Sequence, residues 1–389
     1  MSAFTPVKTI PVARPSIGAA EEKAVIEVLR SGWLAQGARV AEFETRFAEY
    51  VGAAQAVAVS SCTTALHLAL IAAGVQPNDE VLCPSLSFIA TANSIRYAGA
   101  VPVFVDIDRA TYNIDPAYIE RAITPRTRVI LVVHQVGLPA AMDEMLEVAT
   151  RRGLVVVEDA ACAIGSEYKS QRIGLPHSLM ACFSFHPRKI LTTGEGGMVT
   201  TASEELAARL RQLRQHAMTV SDLTRHNSSK VLTETYGEVG YNYRMTDLQA
   251  AIGLVQLQRL PDMLAHRRYL ASRYTEHLSQ IEWLITPTVA DDYRHNFQSY
   301  MVRVKESAPV SRDQLMQGLL DRGISTRRGI MAIHRENPYR DSRWDSELPQ
   351  TNDITDKTIV LPLFHSMTEE EQDYVIDCIT EVEIASSPF

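Results

Sequence analysis

The chain has 389 residues, enough for one large domain and a smaller one, and its 46% apolar and 22% charged residues are ordinary for a globular enzyme. A formal charge of −8, with basic residues only in scattered pairs such as Arg151-Arg152, Arg267-Arg268 and Arg327-Arg328, argues against a nucleic-acid surface. Cys62, Cys83, Cys162, Cys182 and Cys378 are odd in number and widely spaced, without a C-x-x-C, so neither a disulfide framework nor a zinc site is expected and no metal is assigned. No apolar run is long enough to span a membrane, and Met1 to Pro15 lacks the basic start and apolar stretch of a secretory signal. The expectation is a cytoplasmic protein without a membrane or nucleic-acid partner.

In chain order, Ala56–Ser60, Glu80–Cys83, Val101–Asp106, Val129–His134, Leu154–Glu158 and Ala181–Phe185 read as buried strands. Thr63–Ala73, Ile89–Tyr97, Pro116–Ala122 and Met142–Arg152 read as helices between them. Strand–helix alternation with near-continuous apolar strands predicts an α/β fold, a mainly parallel sheet between helices. In such sheets ligands gather at the carboxyl ends of the strands, so the chemical residues should fall just after them. After Asp247 a helical pattern runs to Pro261, and a second helix follows to about Leu278. Beyond it come strand-like Gln298–Val304, helical Ser311–Arg322 and a last helix after Thr368, where Thr368 and Glu371 form a capping box. This predicts a large domain over residues 1–258 with an N-terminal arm and a smaller C-terminal α+β domain over 259–389.

Lys189 sits in Ser184-Phe185-His186-Pro187-Arg188-Lys189-Ile190-Leu191-Thr192-Thr193-Gly194-Glu195-Gly196-Gly197. A strand delivers one lysine, and hydroxyls and glycines follow it. The pattern suits a lysine used as an amine nucleophile, and equally a solvated lysine beside a glycine turn. Ser60-Ser61-Cys62-Thr63-Thr64 joins a strand to a helix through small hydroxyl residues, which makes either an anion site or an ordinary N-cap. It lacks the spacing of a nucleotide-triphosphate loop, and the chain has no G-x-G-x-x-G. Glu158-Asp159 places two carboxylates at a strand end, where one could pair with a ring nitrogen or cap a helix. Phe88 follows another strand and could stack on a flat ring or join the core. A hydroxyl anchor, then a strand-end aspartate, then a strand-end lysine is the order of a fold-type I pyridoxal phosphate (PLP) enzyme.

Over nearly its whole length the chain resembles the DegT/StrS family of sugar aminotransferases. The resemblance lies in Ser31 to Gly37, Ser60 to Leu70, Pro84 to Gly99, Glu158 to Gly165, Ser184 to Thr200 and Gly240-Tyr241-Asn242-Tyr243-Arg244-Met245-Thr246. It implies a homodimer in which Lys189 forms a Schiff base with PLP and shuttles the substrate proton. Asp159 would hold the pyridine nitrogen, with Phe88 stacked on the ring. Ser184, Thr63 and the amides around Cys62–Thr64 would bind the phosphate, and Asn242 would reach the phosphate in the other subunit. Trp33, Arg244, Arg327 and His334 lie in segments that approach the substrate in the family, while His186 could bond substrate or pack behind its loop, and packing is favoured.

Three departures stand out, one of them that His134-Gln135-Val136-Gly137 lacks the aromatic usual in that turn of the family. Cys62 replaces a glycine of many relatives, which keeps a backbone-amide contact only if its φ is negative. Cys162 replaces a histidine or glutamine near the cofactor hydroxyl. Related dehydratases carry histidine in place of the lysine, so Lys189 excludes that reading. The resemblance thus implies transfer of an amino group from glutamate or glutamine to a keto-sugar, foremost a nucleotide-linked keto-deoxysugar. A keto-cyclitol or other natural-product ketone, or a PLP-binding regulatory protein without turnover, is the alternative.

Overall fold

Side chains alternate along the central strands and both alternations are apolar, as a sheet covered on two faces requires. The structure, a computed structural model, describes residues 9–175, 177–220, 222–226 and 228–386, so the expectation drawn from Met1 to Pro15 lies for the most part outside the described residues. Seven strands form the main sheet: β1 Gln55–Val59, β2 Glu80–Pro84, β3 Val101–Val105, β4 Thr127–Val133, β5 Val155–Asp159, β6 Met180–Ser184 and β7 Gly197–Thr201. Their order is β1-β7-β6-β5-β4-β2-β3. Neighbours from β6 to β3 run parallel, and β7 is antiparallel to both β6 and β1.

Ala56, Ala58, Leu82, Ile130, Val156 and Phe183 enter one core with Phe43 and Phe47 of the helix Ala38–Val51. Val57, Val59, Val81, Leu131, Val157 and Cys182 enter the opposite core with Leu66 and Leu70 of the helix Cys62–Ala72. The expected strands and helices are in place, with ends displaced by a residue or two. Strand β7 is an addition to the sequence reading. It opens on glycine, which is depleted in strands, and its partners β1 and β6 are not visible from local pattern.

The expected break at Pro261 does not occur. One helix runs from Asp247 to Leu278 with the proline inside it. Leu257, Leu260 and Leu264 are buried in the first core, and Leu270 and Tyr274 in the core of the C-terminal part. Burial of such side chains contributes about 1.5–3 kcal/mol each, together well above the roughly 3 kcal/mol cost of an interior proline. The change from one core to the other therefore falls within this helix. Beyond it, four antiparallel strands in the order Leu284–Ile285, Tyr300–Val304, Thr358–Leu361, Arg327–Arg328 form a second sheet. Its core takes side chains from the helices Arg312–Asp321 and Glu369–Ser386. The Thr368 amide donates to Glu371 Oε2 at 3.2 Å and the Glu371 amide to Thr368 Oγ1 at 3.1 Å, the reciprocal cap read from the sequence.

Candidate active site

The carboxyl ends of the parallel strands bring together residues far apart in sequence. Ser61 caps the helix Cys62–Ala72, its hydroxyl accepting from the Thr64 amide at 3.2 Å. The Cys62 and Thr63 amides belong to the first turn, which has no intrahelical acceptors, and so face outward as anion donors. Cys62 is not among the residues with positive φ, so the condition on its backbone amide is met. Its thiol turns inward to the Cys182 carbonyl at 3.6 Å, and burial holds it well above its ordinary value. Ser184 ends β6 opposite Gly197 of β7. A Cβ on Gly197 would stand 2.5 Å from the Ser61 carbonyl carbon and 2.7 Å from the Cys62 nitrogen. Only glycine lets β7 close against this turn. Among the described residues the Thr63 and Ser184 hydroxyls are committed to no other group. Free amides and uncommitted hydroxyls gathered at one end of the sheet suit a phosphate monoester.

Asp159 and Glu158 are consecutive residues of a strand, so they face opposite ways. Glu158 turns into a closed network, accepting from His134 Nε2 at 2.8 Å and from the Ser178 hydroxyl at 2.6 Å. The Ala140 amide donates to His134 Nδ1 at 3.0 Å, which fixes the ring with its proton on Nε2. Asp159 faces the other way, accepting from Thr91 Oγ1 at 2.9 Å and from the Ala161 amide at 3.2 Å. Burial raises its carboxyl above the ordinary range despite these donors and the nearby Lys189 and His134. A buried carboxylate with spare acceptor capacity fits a protonated ring nitrogen.

The Lys189 ammonium donates to Cys162 Sγ at 3.0 Å. Burial alone pushes this amine down. The Cys162 sulfur, with Cys62 and Asp159, outweighs burial and holds Lys189 above its ordinary value. Lys189, Cys162, Cys62 and Asp159 thus form one electrostatic cluster.

The remaining candidates divide. Phe88 is 66% exposed, with no aromatic neighbour among the described residues, so its ring face is open. Asn242 is exposed on a segment whose Tyr243 carbonyl accepts from the Ser60 amide at 2.8 Å, beside the anion turn. Trp33 packs against His226 with centroids 5.0 Å apart and donates from Nε1 to the Gln36 carbonyl. Arg244 is half-buried and Arg327 exposed, and neither has a carboxylate partner among the described residues. Burial, with the charge of Arg327, pushes the Arg188 guanidinium down, which places these two arginines near each other. His186 Nδ1 accepts from the Arg188 amide in its own turn. His334 is held against Ser85, just past the end of β2, and against Asn352. It is 1% exposed, its Nδ1 lies 2.7 Å from the Ser85 hydroxyl and its Nε2 3.2 Å from Asn352 Oδ1.

Thr91, which orients Asp159, was invisible in the sequence. Its only signal is a hydroxyl residue early in the helix after Phe88, and most such threonines bond their own turn. The segment from His295 to Gln298, packed behind the cluster, was also missed, because an isolated loop histidine or amide does not declare its partner. His295 is 4% exposed, and its Nδ1 accepts from the Phe297 amide at 2.9 Å. Burial, with Arg268, lowers its pKa to about 3. The unfolded imidazole titrates near 6.5, so the contribution of a neutral His295 is full above that pH. It falls by up to about 1.4 kcal/mol per pH unit as pH drops toward the folded value. Urea unfolding between pH 7 and 4 checks this: His295→Asn should show a shallower decline, and an equal slope in both proteins would remove His295 from the acid response.

The profile of the DegT/DnrJ/EryC1/StrS aminotransferase family matches residues 15–380. The spore coat polysaccharide biosynthesis protein SpsC of Bacillus subtilis (strain 168) is 43% identical over 96% of this chain and 97% of its own. The aminotransferase TlmJ of Streptoalloteichus hindustanus superposes with a TM-score of 0.88 at 34% identity, covering 97% of this chain and 99% of its own. The candidate sugar aminotransferase Spr1654 of Streptococcus pneumoniae, in its PLP form, superposes at 0.90 with 29% identity, covering 98% of this chain and 100% of its own.

Proposed function

The chain belongs to the DegT/DnrJ/EryC1/StrS aminotransferase family, and on that premise we propose that it moves an amino group from glutamate or glutamine to a nucleotide-linked keto-deoxysugar. It is an aminotransferase and its cofactor is PLP. The observation that carries the site assignment is the convergence of the Lys189 amine, the buried Asp159 carboxylate and the Cys62–Thr64 helix start at one end of the sheet. A sugar acceptor is supported by SpsC, whose name places it in polysaccharide biosynthesis.

PLP, when bound, supplies the carbon that exchanges oxygen for nitrogen and a ring that withdraws electrons. The Cys62 and Thr63 amides with the Thr63 and Ser184 hydroxyls bind its phosphate. Asp159 keeps the ring nitrogen protonated, and Thr91 Oγ1 orients Asp159 from behind. Phe88 offers its open face to the ring. Lys189 gives up its proton to become the attaching amine. Released again, it carries the proton off the donor α-carbon and returns one to the acceptor carbon. The same lysine serves both half-reactions, which gives ping-pong kinetics. Asn242, exposed beside the anion turn, reaches the cofactor phosphate of a second copy in a homodimer, and Trp33, Arg244 and Arg327 meet the substrate. His334 lies outside this assignment because both of its ring nitrogens are taken.

The test is optical. The PLP-loaded protein should show a Schiff-base band that bleaches with glutamate or glutamine and returns when a nucleotide-linked keto-sugar is added. Return only with keto-cyclitols would move the acceptor to that class. A band that no amino donor bleaches would leave a PLP-binding protein without turnover. Sedimentation as a monomer in the loaded state would remove Asn242 from the site.

A further inference from the structure

The peptide planes on either side of Lys189 are held by one side chain from a distant part of the chain. Gln298 Oε1 accepts from the Ile190 amide at 3.0 Å, and Gln298 Nε2 donates to the Arg188 carbonyl at 2.8 Å. The Arg188 carbonyl belongs to the peptide before the Lys189 α-carbon and the Ile190 amide to the peptide after it. The relative rotation of those two planes is the φ and ψ of Lys189. One planar amide, 8% exposed, therefore fixes the backbone from which the amine projects.

Two residues earlier the same segment holds the opposite wall of the site. Asn296 is fully buried, and its Nδ2 donates to the Cys162 carbonyl at 2.8 Å and to the Ile164 carbonyl at 2.9 Å. Its Oδ1 accepts from the Gln298 amide at 2.8 Å, so the two side chains are coupled. Asn296 also fills the space beside Gly137, where a Cβ would stand 1.9 Å from Oδ1. The clamp is anchored in turn by Arg267, which donates to the Phe297 carbonyl at 3.1 and 2.9 Å and to the Gln298 carbonyl at 2.8 Å. Burial lowers this guanidinium to about 10, and among the described residues it has no carboxylate partner. Phe297 itself has φ of 52°, a conformation a non-glycine residue keeps only when its surroundings hold it. The segment then runs directly into the strand Tyr300–Val304 of the second sheet.

We infer that Gln298 is a positioning residue for Lys189, and Asn296 for Cys162, so that this segment sets the approach of the amine to the turn it faces. The inference rests on the reading of Lys189 as the cofactor lysine. Misplacing a reacting group by about 1 Å costs on the order of a hundredfold in rate, and Gln298 controls placement of that order without touching the reacting atoms.

Two variants of the full chain test it. Gln298→Met keeps the length and removes both bonds. Gln298→Glu keeps the outline and regains the donor only when its carboxyl is protonated. In Gln298→Met, hydrogen exchange at the Ile190 amide should quicken, and the pH midpoint of the PLP absorption band should move. Its kcat should fall about ten- to a hundredfold, with the amino-donor KM within about threefold of the parent. In Gln298→Glu, activity relative to the parent should rise as pH falls, because the protonated carboxyl donates to the Arg188 carbonyl as the amide does. A parent-like band and kcat in Gln298→Met would overturn the inference. Should that variant fail to fold, a pH-independent activity ratio for Gln298→Glu overturns it instead. If the parent itself shows no PLP band, the cofactor reading fails, and exchange at Ile190 still decides whether the clamp exists.

Discussion

Lys189→Ala is expected to leave the chain folded and able to take up PLP while lowering turnover by about a thousandfold or more. The amine sits within 3.0 Å of Cys162 and in the field of Cys62 and Asp159, and no other side chain of that cluster of Lys189, Cys162, Cys62 and Asp159 carries an amine. The phosphate donors at Cys62–Thr64 and the carboxylate at Asp159 do not depend on the lysine, so binding should survive in weakened, non-covalent form. A shift of the absorption to that of free PLP, with unchanged thermal unfolding, is the expected signature. Retained turnover would take Lys189 out of the reaction. In the parent, attachment of PLP should quicken as pH rises. The cluster holds Lys189 in its charged form above the ordinary amine range, and only the neutral amine reacts.

Asp159→Asn is expected to act in opposite directions on stability and on function. Burial raises the Asp159 carboxyl, so the folded chain binds this proton more tightly than the unfolded chain. Its contribution to stability is present at low pH and is lost as pH rises through the raised folded value. Asparagine keeps an acceptor for Thr91 or for the Ala161 amide and carries no charge to bury. The cofactor-free variant should therefore melt at a higher temperature than the parent at pH 7 and at the same temperature at acid pH. Turnover should fall about a hundred- to a thousandfold, because the group that opposes the ring-nitrogen charge is gone. A lower melting temperature at pH 7 would mean that Asp159 is stabilising as a carboxylate, against the direction inferred from its burial.

How much of this was readable beforehand follows from range. All strands of the large sheet except β7 were legible because each is a short apolar run closed by turn residues. Their alternation with helices then required a parallel sheet and put Ser60, Phe88, Asp159 and Lys189 near one edge. Strand periodicity alone left the choice at Glu158-Asp159 open, since it says that neighbours diverge but not which one meets the site, and only the family resemblance pointed to Asp159. In the structure His134 and Ser178 take Glu158 away from the site. Pro261 misled because local propensity is weaker than the burial of Leu257, Leu260 and Leu264 on either side of it. Gln298 and Thr91 could not be found at all. An amide or hydroxyl bonds whatever the fold presents, and their partners lie across long stretches of chain.

Strand β7 has a consequence for the order of assembly. It touches both the anion turn and the strand delivering the lysine, through Gly197 against Ser61–Cys62 and against Ser184. β1 is made early and, among the described residues, has no neighbour in the main sheet except β7. On a ribosome it waits on the order of ten seconds for that partner. During that interval its apolar residues and the unpaired edge of the growing sheet stay open, and such non-local pairing is slow. The site at the strand ends is consequently among the last features to form, and a nascent chain should acquire cofactor affinity only after residue 201 has left the exit tunnel.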